Sequence, residues 1–236
     1  MAFDFETGEI ILVNKPYRWT SFDVIGALRS FFKKELAMPK VKIGHAGTLD
    51  PLATGLMILC TGKATKRIEE FMGLEKEYTG TFVLGASTAS FDLEKPVDQV
   101  FPTEHITDGM IADVVSSLTG DIMQVPPIFS AIKINGKRAY KSARKGADLE
   151  LQPRSVNVRE FEITRLAMPE VDFRIVCSKG TYIRALARDF GQALGSGAYL
   201  SALCRTRIGP YRLADAYEIE QFKELLRKEA GSDVNG

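Results

Sequence analysis

The first apolar run along the chain is Glu9–Asn14 (EIILVN), which stops at Lys15-Pro16 and reads as a strand. Thr20 or Ser21 then offers an N-cap, with Asp23 in the first turn. Phe22, Ile25, Leu28 and Phe32 recur at helical spacing, which predicts a helix to about Lys34. After a glycine-rich loop, GLMILC reads as a buried strand and Lys63 to Met72 as a short helix. Lys76 to Leu84 alternates, with Tyr78, Gly80, Phe82 and Leu84 on one face, so it reads as a strand. Residues 85–102 carry no period and read as an irregular polar excursion. A helix is expected from Asp108 to Leu118, capped by Thr107 and ended by Gly120. Ile128–Ile134 followed by Asn135-Gly136 suggests a hairpin arm.

Ser155–Leu166 and Val171–Ser178 alternate as strands. Lys179-Gly180 turns the chain into a helix from about Tyr182 to Leu194, with Ile183, Leu186, Phe190 and Ala193 as its buried stripe. A strand near Tyr199–Arg207 and a helix near Glu218–Lys228 follow. Runs of strands with scattered helices predict an α+β fold rather than a doubly wound α/β fold. No repeat or convincing linker divides the chain, so one domain over residues 1–236 is the expectation.

Composition narrows the class. The 236 residues are 45% hydrophobic and 26% charged, an ordinary globular balance with enough chain for a substantial core. No apolar run approaches membrane-spanning length. The start, MAFDFETGEI, carries acids and no apolar core, unlike a signal peptide. Cys60, Cys177 and Cys204 are odd in number and widely spaced, and the only histidines are His45 and His105. Reduced thiols in a cytoplasmic protein are therefore expected, rather than a disulfide frame or metal centre.

Net charge is +1, but the charge is segregated. Lys133, Lys137, Arg138, Lys141, Arg144 and Lys145 fall within Ser130–Gly146 without an acid. Between Arg174 and Arg212, seven basic residues face one acid, Asp189. The compensating acids gather elsewhere, notably Asp92, Glu94, Asp98, Glu104, Asp108 and Asp113. Such segregation can present a basic face to a polyanion, although any one cluster is more commonly a solvated surface.

Familiar phosphate and acyl-transfer motifs fail. Gly62-Lys63 lacks the first glycine of a P-loop, since Met57 stands there, and Ala64 replaces its hydroxyl residue. Ser130-Ala131-Ile132-Lys133 matches S-x-x-K without the partner motifs. GHAGTLDPLATG (44–55) is different: three glycines and one proline surround a single carboxylate, Asp50. A turn alone would explain the dipeptide Asp-Pro; a mount for one reacting carboxylate would explain the whole stretch. In KGTYIRALARD, Arg184 and Arg188 lie a turn apart near a helix start, where the helix dipole disfavours cations. A nearby anion would account for them, and so would ordinary surface arginines with partly buried stems. His45 is either a polar loop residue or a flat ring able to stack on a nucleotide.

With these residues in place, the chain resembles the TruB family of tRNA pseudouridine synthases. The likeness runs through LVNKPYRWTS, GHAGTLDPLATGLMILCTGKATK, EKEYTGTFVLGASTASFD, PPIFSAIKINGKRAY, CSKGTYIRALARDFG and LCRTRIGPY, to about residue 215. The resemblance implies a pseudouridine synthase fold, with a mixed, mostly antiparallel central sheet and flanking helices and loops around an RNA-binding cleft. It implies isomerisation of one uridine in the T loop of tRNA, with the base flipped out of the stack. By position it makes Asp50 the catalytic aspartate, Tyr78 the stacking tyrosine and Arg184 the aspartate's partner. Tyr182 and Leu203 would line the uridine pocket, His45 would engage the flipped loop nucleotides, and residues 127–155 would form a basic arm over the RNA.

The reaction needs no metal or cofactor, which agrees with the sparse histidine and cysteine. The expected partner is the tRNA T arm, the expected state a monomer, and no membrane is implied. A non-catalytic tRNA-binding or folding protein would use the same face without needing Asp50 beside Arg184. Two departures stand out. Arg18 occupies a position usually held by glycine, and the chain reaches Gly236 without the C-terminal RNA-binding PUA domain of many relatives.

Overall fold

The computed structural model describes residues 3–128, 133–134, 137–138 and 151–232. The first elements are β1 (Ile10–Lys15), α1 (Ser21–Lys34), β2 (Ile43–His45), β3 (Ala53–Thr61) and α2 (Ile68–Gly73). Then come β4 (Lys76–Leu84), β5 (Ala86–Thr88), β6 (Val97–Val100), α3 (Asp108–Ser117) and β7 (Gly120–Gln124). β8 (Lys133–Ile134), β9 (Lys137–Arg138), β10 (Arg154–Ala167), β11 (Glu170–Cys177) and α4 (Ile183–Ala193) follow. The chain closes with β12 (Ala198–Ile208), β13 (Tyr211–Arg212) and α5 (Ile219–Ser232). It divides into two compact units, Met1–Tyr78 with Cys204–Gly236, and Thr79–Leu203. The expected α+β class is what the elements form.

In the first unit β1 runs antiparallel to β3, from Ile10↔Cys60 to Lys15↔Gly55, and β2 pairs with β3 at Ile43↔Thr61 and His45↔Leu59. β3 is buried from Gly55 to Thr61, which is why its sequence is continuously apolar instead of alternating. Leu56, Ile58 and Cys60 pack with Ala46, Phe71 and Ile208. Gly55 has φ +106°, and a Cβ there would stand 2.4 Å from the Arg205 carbonyl oxygen, so only glycine fits.

Helix α1 starts on a capping box. The Thr20 hydroxyl accepts the Asp23 N–H and the Asp23 carboxylate accepts the Thr20 N–H. Its buried face is Ser21, Val24, Ile25, Leu28, Phe31 and Phe32. Phe22, placed on that stripe by spacing, is instead 63% exposed. Ser21 takes the inward position because its hydroxyl is hydrogen-bonded to the Leu49 backbone.

In the second unit the strand order is β12–β4–β11–β10–β7. β10 pairs antiparallel with β11, from Val158↔Cys177 to Ala167↔Glu170, and with β7, from Arg154↔Gln124 to Val158↔Gly120. Phe82, Phe161, Phe173 and Phe190 form an aromatic core, with the Phe82 and Phe173 centroids 4.3 Å apart. Gly80 lets strands close up, since a Cβ would meet the Ala202 carbonyl oxygen at 2.3 Å. On α4, Ile183, Leu186 and Phe190 are buried as expected, but Ala193 is exposed and Leu194 completes the apolar face.

Residues 85–102 are not wholly irregular. β5 and β6 pair from Ala86↔Val100 to Thr88↔Val97, and every residue of β6 is exposed, leaving no alternation to read. β8 and β9 pair at Lys133↔Arg138 and Ile134↔Lys137, bracketing the expected Asn135-Gly136 turn. That turn and most of the basic arm lie outside the described residues.

Candidate active site

Asp50 sits half-buried in the loop between β2 and β3, and the first unit pins the backbone of that loop on both sides. Lys15 ends β1 on the same buried face as Ile11 and Val13. Its Nζ donates to the carbonyls of Pro16 (2.9 Å), Trp19 (2.5 Å) and Pro51 (3.3 Å). Ser21 Oγ accepts the Leu49 N–H at 2.9 Å and donates to the Leu49 carbonyl at 3.1 Å. The Arg18 N–H reaches the Pro51 carbonyl at 2.8 Å. Arg205, 1% exposed, donates from Nε to the Leu56 carbonyl (2.8 Å) and from Nη2 to the Gly47 carbonyl (3.2 Å). Asn14 Oδ1 accepts the Gly55 N–H at 3.2 Å.

Holding positions 47, 49, 51, 55 and 56 removes backbone freedom around one carboxylate, which is the preorganisation that a reacting group requires. The electrostatics point the same way. Burial pushes the Lys15 ammonium down to about 8; the Asp50 carboxylate and then Asp23 pull it back up, and Arg205 opposes them. Asp50 thus lies within the field of a buried cation.

His45 ends β2 with its ring edge-on to Phe22, centroids 5.7 Å apart at 86°. Burial, then the Arg205 charge, lower its pKa, and the Gly47 backbone partly offsets them. The ring is therefore neutral at pH 7. Its Nδ1 is buried without a hydrogen-bond partner among the described residues. Tyr78 is half-buried, third in β4.

Tyr182, Arg184 and Leu203 belong to the second unit. Tyr182 is the N-cap of α4 without a capping side chain of its own. Gln124, 1% exposed, instead fixes its backbone, accepting the Tyr182 N–H at 2.8 Å and donating to its carbonyl at 3.1 Å. The Arg154 guanidinium lies over the Tyr182 ring, 5.3 Å from its centroid. Leu203 is half-buried on β12.

Arg184, in the first turn of α4 and 4% exposed, has Nε 3.6 Å from Asp92 Oδ2, and Nη1 donates to the Ser90 carbonyl at 3.2 Å. An anion does therefore stand beside this cation at the helix start: a carboxylate that the sequence grouped with the acids compensating the basic segments. Asp92 is 3% exposed, its Oδ1 accepting the Glu94 N–H at 3.0 Å and its carbonyl accepting hydroxyls from Thr88 and Ser90. Sequence reasoning also passed over Lys15, Ser21, Arg205 and Gln124. Lys15 left a trace as the third inward position of the first strand, and Ser21 left one as a possible N-cap.

Comparison with solved structures defines the class. The chain is similar to a structure titled a Cbf5-Nop10-Gar1 complex, with TM-score 0.70 and 27% identity over 93% of this chain and 54% of that one. It is also similar to an H/ACA ribonucleoprotein bound to a substrate RNA containing 2′-deoxyuridine, with TM-score 0.69 and 25% identity over 96% of this chain. The chain spans 54% and 56% of the length of those two solved chains. The fold is that of the pseudouridine synthases.

Family models narrow this further. Residues 33–183 match the TruB family pseudouridylate synthase N-terminal domain, and residues 184–234 match the tRNA pseudouridylate synthase B C-terminal domain. The chain belongs to the TruB family. It is 52% identical over 231 residues to tRNA pseudouridine synthase B of Phocaeicola vulgatus, covering 98% of both chains. The Flavobacterium johnsoniae enzyme of the same name is 52% identical over 225 residues, covering 95% of this chain and 98% of that one.

Proposed function

We propose that this chain is a tRNA pseudouridine synthase that isomerises uridine 55 in the T loop, with Asp50 as the reacting carboxylate. The observation that carries the reading is the mount of Asp50. Lys15, Ser21, Arg205 and the Arg18 amide fix the backbone to either side of one half-buried carboxylate.

The chemistry is an isomerisation. The N1–C1′ bond breaks, the base turns, a C5–C1′ bond forms, the C5 proton leaves to solvent, and N1 takes one up. Asp50 attacks the nucleotide or takes a ribose proton; both routes need the ionised form. The TruB resemblance gives Arg184 the role of favouring the charge of Asp50 against burial. Tyr78 stacks on the flipped uracil, and Tyr182 and Leu203 hold the detached ring and exclude water. His45, neutral, meets the displaced loop nucleotides. The basic segment around residues 127–155 closes over the RNA. The enzyme works as a monomer in the cytoplasm on the T arm, without metal or cofactor, and one catalytic domain over residues 1–236 carries these residues.

A T-arm stem-loop transcript tests the substrate. The purified chain should form one pseudouridine in it, and none when the target uridine is replaced by cytidine. Equal conversion of unrelated ribosomal stem-loops would overturn the tRNA reading.

A further inference from the structure

Among the described phenylalanines only Phe22 is exposed, at 63%, and it stands on the first turn of α1 against His45. Five residues earlier, the turn Pro16–Trp19 closes through a Trp19 N–H to Pro16 carbonyl bond and presents Tyr17, 50% exposed, and Arg18 at its corner. Arg18 is exposed and has φ +66°, the left-handed region in which a side chain is strained and glycine is at ease. Its guanidinium lies 5.6 Å from the centroid of the Tyr17 ring. Its amide is bonded to the Pro51 carbonyl, one residue from Asp50.

Strain kept at an exposed position beside a reacting group calls for a role in which the side chain matters. A solvated arginine supplies none, because glycine would make the same turn without the cost. An exposed cation on one exposed ring, four residues before a second exposed ring that meets His45, is the chemistry of unpaired nucleotides, with phosphate on the guanidinium and bases on the rings. An acidic peptide would use Arg18 but would leave the edge-on Phe22–His45 pair without purpose.

We propose that Tyr17, Arg18 and Phe22 form a single-stranded RNA contact adjoining His45, which holds the nucleotides flanking the target uridine. This rests on the tRNA reading above. Arg18 takes a phosphate, and Phe22 and Tyr17 offer faces or edges to displaced bases.

The test measures binding of a T-arm stem-loop across a salt series, with the melting midpoint of each variant. Arg18→Gly should melt at or above the wild-type temperature, because the strain is gone, yet bind severalfold more weakly. Its plot of log affinity against log salt should be shallower by about 0.7, the share of one single-stranded phosphate. Arg18→Lys should restore the slope. Phe22→Ala should weaken binding about fivefold or more, the low end for one base–aromatic stack, with the slope unchanged. Wild-type affinity and slope in Arg18→Gly would overturn the contact while leaving the tRNA reading intact. A wild-type chain that neither binds nor modifies the stem-loop would sink that reading, and this surface with it.

Discussion

Arg184 and Asp92 form a buried ion pair, Nε to Oδ2 at 3.6 Å, with side chains only 4% and 5% exposed. At that distance the attraction is Coulombic rather than a hydrogen bond. The carboxylate answers the charge of an arginine set against the helix dipole in the first turn of α4. It also ties that helix to the loop after β5.

Removing the Asp92 carboxylate takes the opposite charge away from an arginine held out of water, at a cost of up to about 3–5 kcal/mol. Asp92→Asn should therefore lower unfolding stability by about that much and depress turnover as Arg184 shifts. The double variant Asp92→Leu with Arg184→Met should recover stability and remain inactive. Denaturant unfolding together with single-turnover product formation separates the two effects. Recovery of activity in the double variant would show that Arg184 has no part in the chemistry.

Lys15 makes the mount sensitive to alkali. Its ordinary value of 10.5 is pushed down to about 8 by burial, so between about pH 8 and 10.5 the folded chain has released a proton that the unfolded chain still binds. That term makes stability rise with pH in this window. Activity should move the opposite way, since a neutral amine no longer supplies charge beside Asp50 and has one donor fewer for three carbonyls. A pH–rate profile should fall above about pH 8 without loss of fold. Lys15→Met should abolish that descending limb and lower both rate and melting midpoint.

Gly55 allows the loop to close against β12. Gly55→Ala places a Cβ 2.4 Å from the Arg205 carbonyl oxygen at φ +106°, so either the loop or the strand must move. The variant should lose roughly 2 kcal/mol or more of stability and a larger share of turnover. Unchanged kinetics in a folded Gly55→Ala protein would show that loop position does not limit the reaction.

Much of this was legible in the sequence because local rules and global fold agree. β1, α1, β3 and β4 were read from period and punctuation, and Thr20 with Asp23 gave the start of α1 within a residue. The loop around Asp50 was read as a mount because three glycines and a proline exceed what a turn needs. Its anchors were not. Arg205 meets Leu56 across 149 positions, Ser21 meets Leu49 across 28, and Gln124 meets Tyr182 across 58. No periodicity encodes such pairings. Asp92 read only as one of several compensating acids, because its partner Arg184 lies 92 positions onward. Phe22 fitted the helical stripe by spacing, but Ser21 was drawn inward by a backbone it alone could satisfy. β6, exposed on both faces, carried no pattern at all.

The central claim is that Asp50 is the reacting group, and the most direct measurement is single-turnover pseudouridine formation in a T-arm transcript by wild type and Asp50→Asn. The substitution keeps the side chain's size and removes its charge. The wild type should convert the target uridine. Asp50→Asn should keep its circular dichroism spectrum, bind the transcript, and form product at least roughly a thousandfold more slowly. Turnover by Asp50→Asn at the wild-type rate would contradict the account.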